Sequence, residues 1–293
     1  MSKSPKDSSD FENLPYKSVQ EASRIYFLPN LFTAGNLFFG FLAIIWCIRA
    51  KYVADSDLMI KEFYTEAVLF ILGALVCDAL DGRVARMGGR ESLFGKEFDS
   101  IADTVSFGLA PGLMVFFMIL QPTEKFAYFS QIGWAIGFIY LLCAGVRLAR
   151  FNVLTNPFIP GIESATVSND FQGLPTPAAA GFIASLVLVL IEYDYDRLAI
   201  LLPPLMLLVA WLMVSNIKYP SFKHVDWQTQ MNVTTFILII TIGAVITIFL
   251  KVLAIPLIFL IYIFYGITRS CRASIRTKKL KKKLSVDCEK TCK

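Results

Sequence analysis

Apolar residues in this chain do not alternate with polar ones; they run in long blocks that short polar or basic stretches punctuate. About eight blocks stand out, at 31–50, 64–86, 97–120, 131–151, 175–192, 198–217, 233–250 and 252–270. A bilayer core takes roughly 20 mainly apolar residues per helix, so each block predicts a transmembrane helix. The last two, joined near Lys251, are hard to separate, and six or seven spans is the alternative count. The expected fold is therefore all-α: a polytopic integral membrane helical bundle of about eight transmembrane helices. No internal repeat is visible.

Composition agrees with the pattern. Hydrophobic residues make up 56% of the 293, charged residues 17%, and the mean hydropathy is +0.59. A soluble domain is about 45–50% apolar and about 25% charged. Residues 1–17 are polar, Ser18–Tyr26 suit a short interfacial helix, and Pro29 predicts a break before the first span. The first thirty residues lack an apolar core ahead of a cleavage site, so no cleavable signal is expected.

Orientation follows from the basic residues. With both termini in the cytoplasm, 22 of the 28 Lys and Arg fall in cytoplasmic tails and connections, the bias that the positive-inside rule expects. The tail Arg269–Lys293 alone holds ten of them. Such a run attracts anionic headgroups at roughly 1 kcal/mol per charge near the surface, or serves as a plain topology anchor. Nothing else in the chain supports nucleic-acid binding, and no nucleic-acid partner is expected. In a bacterium the location would be the inner membrane.

Candidate chemistry is concentrated in one place. The six cysteines form no metal or disulfide pattern, and the single histidine, His224, leaves no His pair for catalysis or ligation. Between Val76 and Gly112, however, stand Asp78, Asp81, Asp99 and Asp103. Carboxylates among apolar helices are costly and usually face a cavity, a partner or a function. Asp78 and Asp81 are three apart and Asp99 and Asp103 four apart, so each pair shares a helical face. Gly88 and Gly89 break the path between them, which lets the two helices run antiparallel with their acidic faces opposed. Hard divalent cations relieve the repulsion of such a cluster, and oxygen ligands favour Mg²⁺ or Mn²⁺. Two such ions can hold a diphosphate through a phosphoryl transfer. Gly82 and Ala85 leave room for a ligand beside Asp81, Arg86 can pair with phosphate or carboxylate, and Asp103 is the candidate base. The competing reading is a metal-coupled transporter, which predicts discontinuous helices meeting near the midplane, often in repeated halves.

The run Asp78-x2-Asp81-Gly82-x2-Ala85-Arg86-x8-Gly95-x3-Asp99-x3-Asp103 resembles the signature of the CDP-alcohol phosphotransferase family at every defined position. That resemblance implies a polytopic, typically homodimeric enzyme with a six-helix core that displaces CMP from a CDP-linked substrate with an alcohol. It implies that Asp78, Asp81 and Asp99 bind two divalent cations, with Asp103 as further ligand and general base. It also implies that Gly82, Ala85, Arg86 and Gly95 line the cytidine diphosphate pocket. The expected division is then a cytoplasmic tail at 1–27, the core at 28–217, two added transmembrane helices at 218–270, and a basic cytoplasmic tail at 271–293.

Further segments are similar to the phosphatidylserine synthase branch: Leu28–Asn36, Ser100–Pro111, Arg147–Asn152 and Phe171–Ala178. The implied reaction joins CDP-diacylglycerol and L-serine to give phosphatidylserine and CMP, on a membrane lipid substrate. Other acceptors in the family are glycerol 3-phosphate, inositol phosphate and choline. Arg147 and Arg150 flank the cytoplasmic end of the fourth helix and offer forked partners for a serine carboxylate, or act as positive-inside anchors. Asn30 and Thr33 lie at a helix N-terminus suited to a phosphate of CDP-diacylglycerol, or serve as caps. The Gly173–Pro177 stretch reads as a rigid turn before the fifth helix, with no separate chemical role.

Overall fold

The computed structural model describes residues 27–87, 93–120, 132–155, 170–194, 196–220 and 251–291. These group into two compact units, one within residues 1–166 and the other within 167–293. Among the described residues, five helical stretches are long and apolar enough to cross a membrane, with two shorter apolar helices besides. The chain is mostly helical and membrane-integral in character. The expected span at 233–250 and the interfacial helix at Ser18–Tyr26 lie outside the described residues, as do Gly88 and Gly89.

The first unit is built on helix α1 (Phe27–Tyr52) packed along α2 (Asp57–Met87). Pro29 lies among the first residues described for α1, and the stretch before Phe27, which a break would set apart, lies outside the described residues. The buried face of α1 carries Thr33, Asn36, Gly40, Ala43, Cys47 and Ala50, a 3-4-3-4-3 spacing occupied only by small or polar residues. Its outward face carries Leu31, Phe38, Phe41 and Ile48. Helices in lipid gain nothing from hiding large side chains from one another, so small residues collect where backbones approach and large ones face the acyl chains.

Helix α2 answers with the same spacing. Tyr64, Ala67, Ile71 and Ala74 are buried along it, and Asp78 and Asp81 fall at the next two positions of that seam. The pair is antiparallel: Thr33 meets Asp81 at one end, and the Trp46 indole donates to Glu66 toward the other. The Arg49 guanidinium lies 4.8 Å from the centre of the Trp46 ring.

A third rod follows in four pieces, α3 (Leu93–Asp103), a π-helical turn (Thr104–Leu109), α4 (Ala110–Val115) and a second π turn (Phe116–Leu120). Pro111 gives the first π turn a cause. It has no N–H to donate and its ring would crowd the carbonyl one turn back, so the ladder widens, with Ala110 N–H reaching the carbonyl of Val105. This wide turn begins directly after Asp103. A Cβ on Gly40 would lie 2.2 Å from Ser106 Oγ and 2.6 Å from its Cα, so only glycine lets α1 approach the turn this closely. Helix α5 (Gly133–Thr155) covers the same turn, with Leu141 and Ala144 against Gly108.

The second unit comprises α6 (Thr176–Glu192), a 3₁₀ turn (Asp196–Leu201), α7 (Leu202–Val214), a two-stranded antiparallel ribbon and the 38-residue α8 (Ala254–Thr291). The ribbon pairs β1 (Asp170–Gln172) with β2 (Lys218–Pro220), Phe171 opposite Tyr219. The Gly173–Pro177 stretch acquires a structural role here. Gly173 has φ +83°, donates to the carbonyl of Ile217 at 2.9 Å, and lets Leu174 donate to that of Leu212 at 3.1 Å. The turn thus satisfies an end carbonyl of α7, and a Cβ on Gly173 would lie 2.1 Å from the Met213 carbonyl oxygen.

Gly40→Val should lower the melting temperature of the detergent-purified protein, since overpacking of this kind costs about 1–3 kcal/mol. Phe38→Leu, on the outward face of the same helix, should leave it nearly unchanged. Differential scanning fluorimetry of the two variants checks the contrast.

Candidate metal and phosphate site

Asp78 and Asp81 extend the α1-facing seam of α2, and Asp99 and Asp103 lie one turn apart on α3. One carboxylate oxygen each from Asp78, Asp99 and Asp103 lies within 4.8 Å of the others. At about 2.1 Å per bond, two oxygens on opposite sides of a Mg²⁺ stand about 4.2 Å apart, so the spread closes onto a cation with little movement. All donors are hard oxygens, the set that suits Mg²⁺ or Mn²⁺. The fit to a divalent cation is good in spacing and in chemistry.

Asp81 stands outside this trio; it is buried, and Thr33 Oγ1 donates to its Oδ2 at 2.9 Å. Asp103 is buried too, and its Oδ1 accepts from Asn36 Nδ2 at 3.0 Å. Asp78 and Asp99 are less enclosed. Helix α1 therefore grips both acidic helices through two successive residues of its polar face. The two carboxylates that α1 holds are thus the more buried members of the four.

Arg147 on α5 is buried at 8% exposure, and its charge acts on both Asp78 and Asp103. Its guanidinium lies 5.9 Å from the centre of the Phe151 ring, a contact that helps hold the charge in place. One turn on, Asn152 Nδ2 donates to Ser100 Oγ at 2.9 Å and to Glu97 Oε2 at 3.3 Å, fastening α5 to α3. Arg150 is half-buried on the same helix.

The remaining sequence-derived candidates fall as follows. Asn30 lies one turn before Thr33, and its Nδ2 is buried without a hydrogen-bond partner, a donor available to a phosphate oxygen. Gly82 and Gly95 are half-buried on α2 and α3. Ala85 and Arg86 continue α2, but their side-chain surroundings lie outside the described residues. Two residues that the sequence reading left unassigned are central to the site: Asn36, fully buried, and Ser106, whose hydroxyl donates to the Asn36 carbonyl at 2.9 Å. The spacing of small and polar residues at 33, 36, 40 and 43 was the available signal for the first.

The CDP-alcohol phosphatidyltransferase family matches residues 26–217 of the chain. A Helicobacter pylori (strain ATCC 700392 / 26695) protein described as CDP-diacylglycerol–serine O-phosphatidyltransferase is 34% identical over 248 residues, 84% of this chain and 91% of the relative. An archaetidylserine synthase of Methanothermobacter thermautotrophicus is 33% identical over 204 residues, 69% of this chain and 73% of that one. A Saccharomyces cerevisiae CDP-diacylglycerol–serine O-phosphatidyltransferase is 37% identical over 156 residues, 53% of this chain and 51% of its own.

Isothermal titration of Mn²⁺ into the purified protein should show saturable binding. Asp99→Asn should weaken it at least tenfold, because the substitution removes a charged ligand from a group of three. Binding unchanged in Asp99→Asn would place the ion elsewhere.

Proposed function

This chain belongs to the CDP-alcohol phosphatidyltransferase family, and on that premise we propose that it makes phosphatidylserine and CMP from CDP-diacylglycerol and L-serine. The observation that carries the reading is the oxygen trio of Asp78, Asp99 and Asp103 with the buried Arg147 acting on it. Such a site brings together a place for cations that hold a diphosphate and a fixed positive charge for an acceptor's carboxylate. The relatives named for serine transfer support the choice of acceptor.

The roles follow from the chemistry. Asp78, Asp81, Asp99 and Asp103 would hold two divalent cations, Mg²⁺ or Mn²⁺. Such ions, when bound, neutralise the diphosphate and the charge that develops on departing CMP. Asn30 offers its buried Nδ2–H to a phosphate oxygen, while Gly82, Ala85, Arg86 and Gly95 line the cytidine diphosphate side. The acyl chains remain in the bilayer. Arg147, with Arg150 beyond it, receives the serine carboxylate in a bidentate or paired contact.

Asp103 takes the proton of the serine hydroxyl. The hydroxyl oxygen bonds to the lipid-side phosphorus as the bond to the bridging oxygen breaks, and that electron pair leaves with CMP. A charge-paired, low-exposure setting makes such electrostatic help stronger than it would be in water.

The site faces the cytoplasmic leaflet with both termini on that side, a reading supported by the distribution of Lys and Arg. A homodimer is the expected assembly, by analogy with the family.

CMP release from CDP-diacylglycerol tests the reading across an acceptor panel with Mn²⁺ or Mg²⁺. We expect release with L-serine, its loss with chelator, and little with glycerol 3-phosphate, inositol phosphate or choline. In Asp103→Asn, assayed at saturating Mn²⁺, turnover should fall by at least a thousandfold. Release with a different alcohol would overturn the serine assignment, and full activity in Asp103→Asn would remove that residue as the base.

A further inference from the structure

We propose that Asn36 is the positioning residue of Asp103, orienting its carboxylate toward the cation held with Asp78 and Asp99. The inference rests on the metal-site reading above. It starts from an asymmetry in the hydrogen bonds around Asn36. The side chain has no exposure at all, its Nδ2 donates to Asp103 Oδ1 at 3.0 Å, and its Oδ1 is buried with no hydrogen-bond partner. A buried amide left half-satisfied costs stability. Leucine, of nearly the same shape, would avoid that cost at this apolar helix contact. What leucine lacks is the N–H donor, and an ionised carboxylate accepts only, so the donor is the part of the amide that Asp103 requires.

The amide is itself held. Ser106 Oγ donates to the Asn36 backbone carbonyl at 2.9 Å, and the absence of a side chain at Gly40 brings Ser106 close enough to do so. Ser106 belongs to the π turn that starts immediately after Asp103. Asn36 and Asp103 are thus joined twice, through their side chains and through the turn that follows Asp103. Rotation of the carboxylate would break the first link without relieving the second. Partners behind a metal ligand typically change affinity 10–100-fold when removed.

The test uses Mn²⁺ affinity by electron paramagnetic resonance, alongside kcat and KM for CMP release at saturating Mn²⁺. Asn36→Leu keeps the shape without the donor, and Asn36→His keeps a nitrogen donor at the δ position in a bulkier ring. A positioning role predicts at least tenfold weaker Mn²⁺ binding and a tenfold or greater fall in kcat for Asn36→Leu, with Asn36→His closer to wild type on both. A packing role predicts the reverse order, and that result would overturn the proposal. Should both variants fail to fold, Ser106→Ala reads the same linkage. A threefold or greater loss of Mn²⁺ affinity would support the proposal, and wild-type affinity would overturn it. Absence of Mn²⁺ binding in the wild-type protein would instead overturn the metal site itself, separately from any role of Asn36.

Discussion

Two hydrogen bonds from helix α1, Thr33 to Asp81 and Asn36 to Asp103, set the geometry on which the site depends. Each donor lies on the face by which α1 packs against its neighbours, and each acceptor is a buried carboxylate on a different helix. Carboxylates in such surroundings repel one another and are poorly solvated, so without fixed donors they would splay toward whatever water they could reach. The small residues further along α1 complete the arrangement. Gly40, Ala43, Cys47 and Ala50 let the helices close tightly at one end, and that closeness carries Thr33 and Asn36 into hydrogen-bonding range at the other.

The electrostatic design is uneven by intent of the fold. Asp81 and Asp103 are enclosed and held by neutral donors, whereas Asp78 and Asp99 are more open. Arg147 contributes a buried positive charge that acts on Asp78 and Asp103 together. A divalent cation held there would find Asp103 already oriented by its Asn36 hydrogen bond, so that little reorganisation would remain when charge develops.

Much of this was legible in the sequence, for identifiable reasons. The Asp78–Asp103 run stands out because ionisable residues are rare in apolar segments, and its helical spacing is independent of tertiary detail. Long apolar blocks reveal membrane helices by length alone, as at 30–52 and 133–154. Asn36 and Ser106 were harder to see. A single polar residue in a span has many bland explanations, and only the contact of α1 with the end of α3 and the π turn after it gives these two a partner. The π turn itself depends on Pro111 inside a helix that continues past it, a case in which a breaker signal did not end the element. The Gly173 turn was recognisable as a turn, but its service to the end of α7 joins Leu174 to Leu212, far apart in the chain, which no local pattern encodes.

On the proposed reading, Asp78, Asp99 and Asp103 form one cation site prearranged by α1. Anomalous diffraction from crystals of the protein grown with Mn²⁺ and CDP-diacylglycerol tests it most directly. A manganese peak is expected at bonding distance, about 2.1–2.2 Å, from an oxygen of each of the three aspartates. The Thr33–Asp81 and Asn36–Asp103 hydrogen bonds should remain in place. Manganese bound away from these carboxylates, or bound among them only after both hydrogen bonds have broken, would contradict it.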